Sequence, residues 1–324
     1  MRAPTPRSER LPPAPSRPDR RTPPRLGALQ RWLDDPGIEE VMVVAGADVW
    51  VAGRGRMIRV AGMTEAELAH CIEVISRSAG RRVDVLAPVL DARFEDGSRA
   101  CVVLPPVSLG GPTISIRKFS GRIPPLASFG DERCTEALRR LVVDHSNVVV
   151  AGATSSGKTT LLSSAASRFD VSERIVCAED TAEIRFDHPH VVRLQTRPAS
   201  VEGHGEVTLG DLVRTSLRLR PDRLIVGEVR GREALDMLLA LSSGHRGCWS
   251  TVHATSAHAA IDRLASLVAR EAPQWGLDAA TRLVRDSIDA VVHLVRDASG
   301  RRRVAEILVT GTSNEPRNHV VFTP

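Results

Sequence analysis

The chain has 324 residues, a mass of 35.1 kDa, 42% hydrophobic and 26% charged residues, and a formal net charge of +5. This composition excludes wholesale disorder, a collagen-like repeat and a disulfide scaffold, and the length suits about two domains. No apolar run approaches the ~18–20 residues of a membrane span, and the N-terminus lacks the apolar segment of a secretory signal.

Residues 1–25 carry seven Arg against two acids, the whole charge excess, together with eight of the 21 Pro. They read as an extended, solvated leader whose charge suits contact with acidic lipid or nucleic acid. A short helix is expected over 26–35, before Pro36-Gly37, then strands over 38–44, 48–52 and 56–60. Thr64 followed by Glu67 is a capping box. It opens a helix to about Ser78, with Leu68, Cys71, Ile72, Ile75 and Ala79 at helical spacing. Strands are expected at 89–94, 99–104 and 113–119, with a hairpin turn at Asp96-Gly97. Residues 26–119 therefore form a small α+β domain, and the Pro/Gly/Ser-rich stretch 120–130 a linker. From 131 the pattern changes. Helices at 131–144, 158–168, 208–219, 231–243 and 256–270 alternate with apolar strands at 147–151, 174–178, 222–227 and 248–253. A further helix near 277–288 precedes strands near 290–296 and 303–309. This is the signature of a mostly parallel sheet covered by helices, so residues 131–324 read as an α/β domain.

The sharpest motif is GATSSGKT at 152–159, which fits G-x-x-x-x-G-K-[ST] between an apolar strand and a helix. Gly152 and Gly157 let the backbone wrap a phosphate, while Ala153, Thr154, Ser155, Ser156 and Thr160 complete the loop and its first turn. Lys158 brings a charge to the β/γ-phosphates, and the Thr159 hydroxyl can ligate Mg²⁺. ATP with Mg²⁺ is the ligand this pattern implies. Carboxylates follow at the ends of later strands, where α/β sheets bind ligands. Glu228 ends 222–227, and Glu179-Asp180 ends 174–178. Glu228 or Glu179 can position water, and Glu228 or Asp180 can hold the metal. The alternatives are a surface Glu at 228 and a helix N-cap at Asp180 with Glu183 three residues on. His253 ends the fourth strand and His245 precedes it; either can contact a phosphate or a carboxylate, or be a satisfied structural residue.

The motifs RIVCAEDTAEI (174–184) and the run 201–256, with RLIVGEVRG and GHRGCWSTVHATS, resemble the traffic ATPases of type II and type IV secretion systems. The tight-adherence pilus assembly ATPases are the branch most similar. LDARFEDGSRACVVLPP (90–106) and GPTISIRKF (111–119) resemble that family's N-terminal domain, and the likeness runs from about 26 to 310. The resemblance implies a RecA-like ATPase domain at the C-terminus and a cytoplasmic homohexameric ring bound peripherally to the inner face of the membrane. It implies ATP between the two domains, and an inner-membrane platform as partner. It also implies that an Arg of the smaller domain or of the subunit interface completes the site: Arg117 and Arg99 are the candidates, with Lys118 behind them and Arg214, Arg220 and Arg230 also plausible. The four-Cys zinc motif of some relatives is absent.

An ATP-driven secretion or pilus assembly motor is therefore the expected function. The alternatives are a DNA-handling P-loop ATPase of conjugation or partition type, and a nucleotide-regulated scaffold. A body of net zero charge with only six Phe and four Trp argues against nucleic-acid binding.

Overall fold

A computed structural model describes residues 25–310 and 319–322, apart from 46, 54, 95, 119–122, 198, 200–203 and 298. The leader thus lies outside the described residues except for Arg25, as does the first part of the expected linker.

The N-terminal part opens with a 3₁₀ turn, Gly27–Leu29, and a short helix α1, Gln30–Asp34. Six strands follow: β1 Glu40–Val44, β2 Asp48–Gly53, β3 Arg56–Gly62, β4 Val89–Arg93, β5 Arg99–Val103 and β6 Thr113–Arg117. All are antiparallel, in the order β3-β2-β1-β6-β5-β4. Helix α2, Glu65–Ala79, has both halves of the expected capping box and ends on Gly80 at φ 61°. Leu68, Cys71 and Ile75 of α2 pack on alternate residues of the strands, among them Val41, Val43, Leu90, Val102, Ile114 and Ile116. The sheet's other face carries Glu40, Arg93, Arg99 and Arg117 at one end, beside apolar residues such as Met42 and Trp50, and that charged end positions the site described below.

The second part begins inside the expected linker. Leu126–Phe129 is a 3₁₀ turn whose Leu126 and Phe129 are 3% and 2% exposed within the core of the following domain. Two apolar side chains anchor this end of the segment, so only the part before it can act as a tether. Helix α3, Glu132–Val143, leads to β7, Val148–Gly152, and α4, Lys158–Ala166. Then come β8 Ile175–Glu179, β9 Val191–Gln195, α5 Leu209–Leu217, β10 Arg223–Val226, α6 Glu233–Ser242, β11 Trp249–Val252 and α7 Ala257–Glu271. The chain closes with α8 Gly276–Ser287, β12 Ala290–Arg296, β13 Arg302–Val309 and β14 His319–Phe322. The sheet order is β14-β13-β12-β7-β11-β10-β8-β9, parallel from β12 to β9, with β13 and β14 antiparallel at one edge.

Every residue of β7, β8, β10 and β11 is buried, which suits their largely apolar sequences; Glu179, Arg223, Ser250 and Thr251 are buried among them. In β7, Val148 and Val150 face one core with α3 and α4, and Val149 and Ala151 face the other with α5 to α8. No helix starts at Asp180; β8 passes through irregular chain to β9, a strand the sequence pattern did not reveal. The five cysteines are all unpaired, and four of them are buried.

Candidate nucleotide site between the two sheets

The loop 153–157 leaves the end of β7 and runs into α4. Ser155 and Gly157 have φ of 62° and 100°. A Cβ at Gly152 would lie 2.5 Å from Ser156 Oγ and 2.6 Å from the Leu294 carbonyl oxygen, so glycine is required for the turn to close. Lys158 is the first residue of α4 and is buried. Its Nζ donates to the carbonyls of Gly152 and Ala153 at 3.0 and 2.9 Å, inside the loop itself. Burial lowers its pKa, and Glu228 and Glu183 oppose that shift.

His253, just past β11, joins this lysine to Glu228. Its Nδ1 lies 3.4 Å from Lys158 Nζ, and its Nε2 3.2 Å from Glu228 Oε1. An ammonium has only donors, so Nδ1 is the acceptor and Nε2–H donates to the carboxylate. Burial first, then Lys158, lowers the His253 pKa, with Glu228 opposing, so the neutral ring is favoured. Arg230 pairs with Asp180 at 3.0 Å and lies 3.8 Å from Glu228. Lys158, His253, Glu228, Arg230 and Asp180 thus form one chain of contacts along the carboxyl edge of β7, β11, β10 and β8.

Thr159 has a neighbour not selected from the sequence. Its Oγ1 lies 3.5 Å from Glu183 Oε2, and Glu183 Oε1 pairs with Arg99 Nη1 at 2.7 Å. The sequence pattern marks Glu183 only as a capping partner for Asp180; the further signal is its place four residues after Glu179 in EDTAEI. Glu179 itself is 2% exposed and accepts from the backbone amides of Glu183 and Ile184 at 2.6 and 2.8 Å. Its second oxygen accepts from Arg193 Nη2 at 3.2 Å.

The N-terminal sheet meets this edge with a row of arginines. Arg93 on β4, Arg99 on β5 and Arg117 on β6 are direct cross-strand partners, so they share one face, the face away from the α2 core. Like charges placed directly opposite one another are destabilising unless an anion sits among them. Burial, together with Arg193 and Arg99, lowers the Arg93 pKa. Arg117 is exposed and ends next to Glu40 of β1 in the register. Arg93 was overlooked because it stands in no motif of its own; the shared register of 93, 99 and 117 was the missing signal. Arg93 reaches Gln195 at 3.4 Å, and Arg185 donates to the Asp96 carbonyl at 3.0 Å, so the two sheets are tied together here. A second tie flanks the loop on its other side. A Cβ at Gly157 would lie 2.8 Å from Arg302 Cδ, and the Arg302 guanidinium pairs with Glu39 at 3.6 Å.

His245 is not brought to this edge. It precedes β11, and Gly247 N donates to the His145 carbonyl while Arg246 pairs with Asp289. Those partners sit where β7 and β12 begin. β11 runs parallel to β7, so its start lies roughly 13 Å from the end that carries His253. Lys118, after β6, donates to the Asp35 carbonyl, and Arg214 pairs with Asp236 and Asp211, so neither reaches the loop.

Two orphaned atoms fit a polyanion: Arg99 Nη2 and Ser156 Oγ are buried without a partner. Among the described residues no group of three or more His, Cys, Asp or Glu could hold a metal ion. A magnesium ion would therefore be held by Thr159, one carboxylate and the phosphates of the substrate, its usual manner of binding.

Residues 25–319 match the family described as "Type II/IV secretion system protein". The chain belongs to that family. It is 37% identical over 298 residues to a Mycobacterium tuberculosis protein whose name assigns it provisionally to conjugal transfer, covering 87% of this chain and 84% of that one. It is 33% identical over 318 residues to the type IV secretion system protein PtlH of Bordetella pertussis, covering 87% and 93%. Among solved structures, the pilus retraction motor PilT with bound ADP matches with a TM-score of 0.65 at 20% identity, covering 89% of this chain and 84% of PilT. That match shows the fold, an N-terminal domain followed by a RecA-like domain, as expected. No helix among the described residues is long and apolar enough to cross a membrane.

Proposed function

We propose that this chain hydrolyses Mg–ATP to ADP and phosphate and uses the cycle to move its two domains against each other. The observation that carries this reading is the shared position of Glu183, between Thr159 of the phosphate loop and Arg99 of the N-terminal sheet. Lys158 exchanges its loop carbonyls for phosphate oxygens. The amides at the start of α4 face the same charge. Thr159 with Glu228 or Asp180 would hold magnesium, which would neutralise phosphate charge. Glu228 orients water and takes its proton as the water oxygen bonds to the γ-phosphorus. The bond to the β–γ bridging oxygen breaks, and ADP leaves with that electron pair. His253 holds Glu228 through Nε2–H. Arg99 turns from Glu183 toward the developing phosphoryl charge.

Because both ties between the sheets flank the loop, a change in phosphate charge acts on both. The segment before Leu126 is the hinge, and residues 26–119 and 131–324 are the bodies it joins. The motor works as a homohexameric ring in the cytoplasm, against an inner-membrane platform of the secretion class. The conjugal-transfer and type IV secretion names of its relatives support that platform, and the motifs of 201–256 support its tight-adherence form. A net-neutral body supports a motor that pushes a platform over one that grips DNA.

ATPase activity per subunit, measured with Mg²⁺ over a wide range of protein concentration, tests the reading. A steep rise with concentration is expected for a site completed in a ring. Absent turnover with intact nucleotide binding, at every concentration and with the platform present, overturns it.

A further inference from the structure

We infer that Glu179 is a positioning residue, with Arg193 as its counter-ion, and that it takes no proton from the attacking water. The inference rests on the reading of this cleft as an ATP site. Its warrant is the use of both carboxylate oxygens. Oε1 accepts from the amides of Glu183 and Ile184, and Oε2 from Arg193 on the edge strand β9. Three of its acceptor positions are filled in this way, and at 2% exposure the carboxylate is closed to water in the cleft. A general base must reach the proton it abstracts, directly or through one water.

The local chain is built around this carboxylate. Residues 180–188 form no helix, so the amides of 183 and 184 need an acceptor, and Glu179 supplies it. Ile184 is fully buried beside α4, and the Arg185 amide donates to Ser163 Oγ at 3.0 Å. The segment is therefore pinned on both sides of Glu183, whose carboxylate is left to meet Thr159 and Arg99. Gly227 belongs to the same device. A Cβ there would lie 2.9 Å from Glu179 Cγ, so the glycine before Glu228 keeps room for the buried side chain. Arg193 also lies over the Phe186 ring at 5.9 Å, which steadies the guanidinium that neutralises Glu179. A residue three strands from the phosphate loop thus sets the aim of the carboxylate beside Thr159.

The test separates aim from chemistry by exchanging charge without losing the hydrogen bonds. In Glu179→Gln alone, the amide must turn its NH₂ toward either Arg193 or the two backbone amides, and kcat falls. In Glu179→Gln/Arg193→Gln the pair re-forms as two neutral side chains, with the carbonyl oxygen of Gln still facing the amides of 183 and 184. The double variant recovers turnover to within about tenfold of wild type, its KM for ATP is little changed, and the acid limb of its kcat–pH profile persists. Loss of a general base costs roughly 10²–10⁴-fold and no partner exchange restores it. A double variant as inactive as the single one, folded by circular dichroism and still binding a fluorescent ATP analogue, overturns the inference. So does disappearance of the acid limb. An inactive wild type that binds nucleotide counts against the ATPase reading instead.

Discussion

Removing Arg99 should separate catalysis from stability. Its pair with Glu183 is short, 2.7 Å, but the two side chains are 35% and 40% exposed. Ion pairs at that exposure contribute about 0–1 kcal/mol. Arg99→Ala also removes Nη2, which is buried without a partner, and thins a row of three like charges. Each of these offsets part of the loss, so the net change in folding stability stays below about 1 kcal/mol, which is roughly 4–8 °C in Tm for a domain of this size. The kinetic effect is of another order. An arginine that meets developing phosphoryl charge is worth about 10³–10⁵ in kcat, or roughly 4–7 kcal/mol of barrier. Steady-state ATPase assays and thermal unfolding on one preparation give both numbers. A fall in turnover of less than tenfold makes Arg99 a strut between the sheets. A Tm lowered by more than about 8 °C makes the bridge part of the fold, and either result refutes the division argued here.

Lys158→Ala should abolish binding of a fluorescent ATP analogue, because the only ammonium in the loop is lost; retained micromolar affinity would show that the amides of α4 suffice. Glu228→Gln should leave that binding within a few-fold and cut turnover about 10²–10⁴-fold, the usual range for a general base; wild-type turnover would assign the base elsewhere. His253 has a folded-state pKa held below its ordinary 6.5. Below that pH the unfolded chain takes up the proton more readily than the folded one, so stability falls with falling pH in the window just under 6.5. His253→Gln should lose less Tm than wild type between pH 7 and 5, and an opposite sign would refute the account of its burial. Arg223→Ala should cost about 3–5 kcal/mol in urea unfolding, since it takes the cation from Glu173, whose side chain is 10% exposed and 2.9 Å away; a cost under 1 kcal/mol would mean that His145 and the Asp170 amide suffice for Glu173.

Local rules carried most of the elements. The capping box at Thr64, the turn at Asp96-Gly97 and the apolar runs of β7, β8, β10 and β11 each act over a few residues, so each can be read from a few residues. β9 escaped because it is an edge strand with one neighbour and half-exposed side chains, which leaves neither alternation nor an apolar run. Leu126 and Phe129 escaped for the converse reason. Proline and glycine around them announce a loop, while burial depends on a core assembled from residues far along the chain.

The site divides along the same line. Lys158, Thr159, Glu228 and His253 follow from a motif and from the rule that ligands gather at the carboxyl ends of parallel strands. The same rule excludes His245, because a residue that precedes a parallel strand belongs to the opposite edge; applied strictly, it corrects that choice from the sequence. What no strand-end rule supplies is the meeting of the two sheets. Arg93, Arg99 and Arg117 lie six and eighteen positions apart, and only the register of β4, β5 and β6 sets them in one row. The Glu183 amide is gathered by a buried carboxylate four residues earlier, while its own carboxylate meets Arg99. In the proposed cycle these residues would link phosphate chemistry to domain movement, since a group that touches both sheets is the one whose partner changes when either sheet moves. Their positions are set by tertiary register, and selection on such a link can act through residues that no single motif contains.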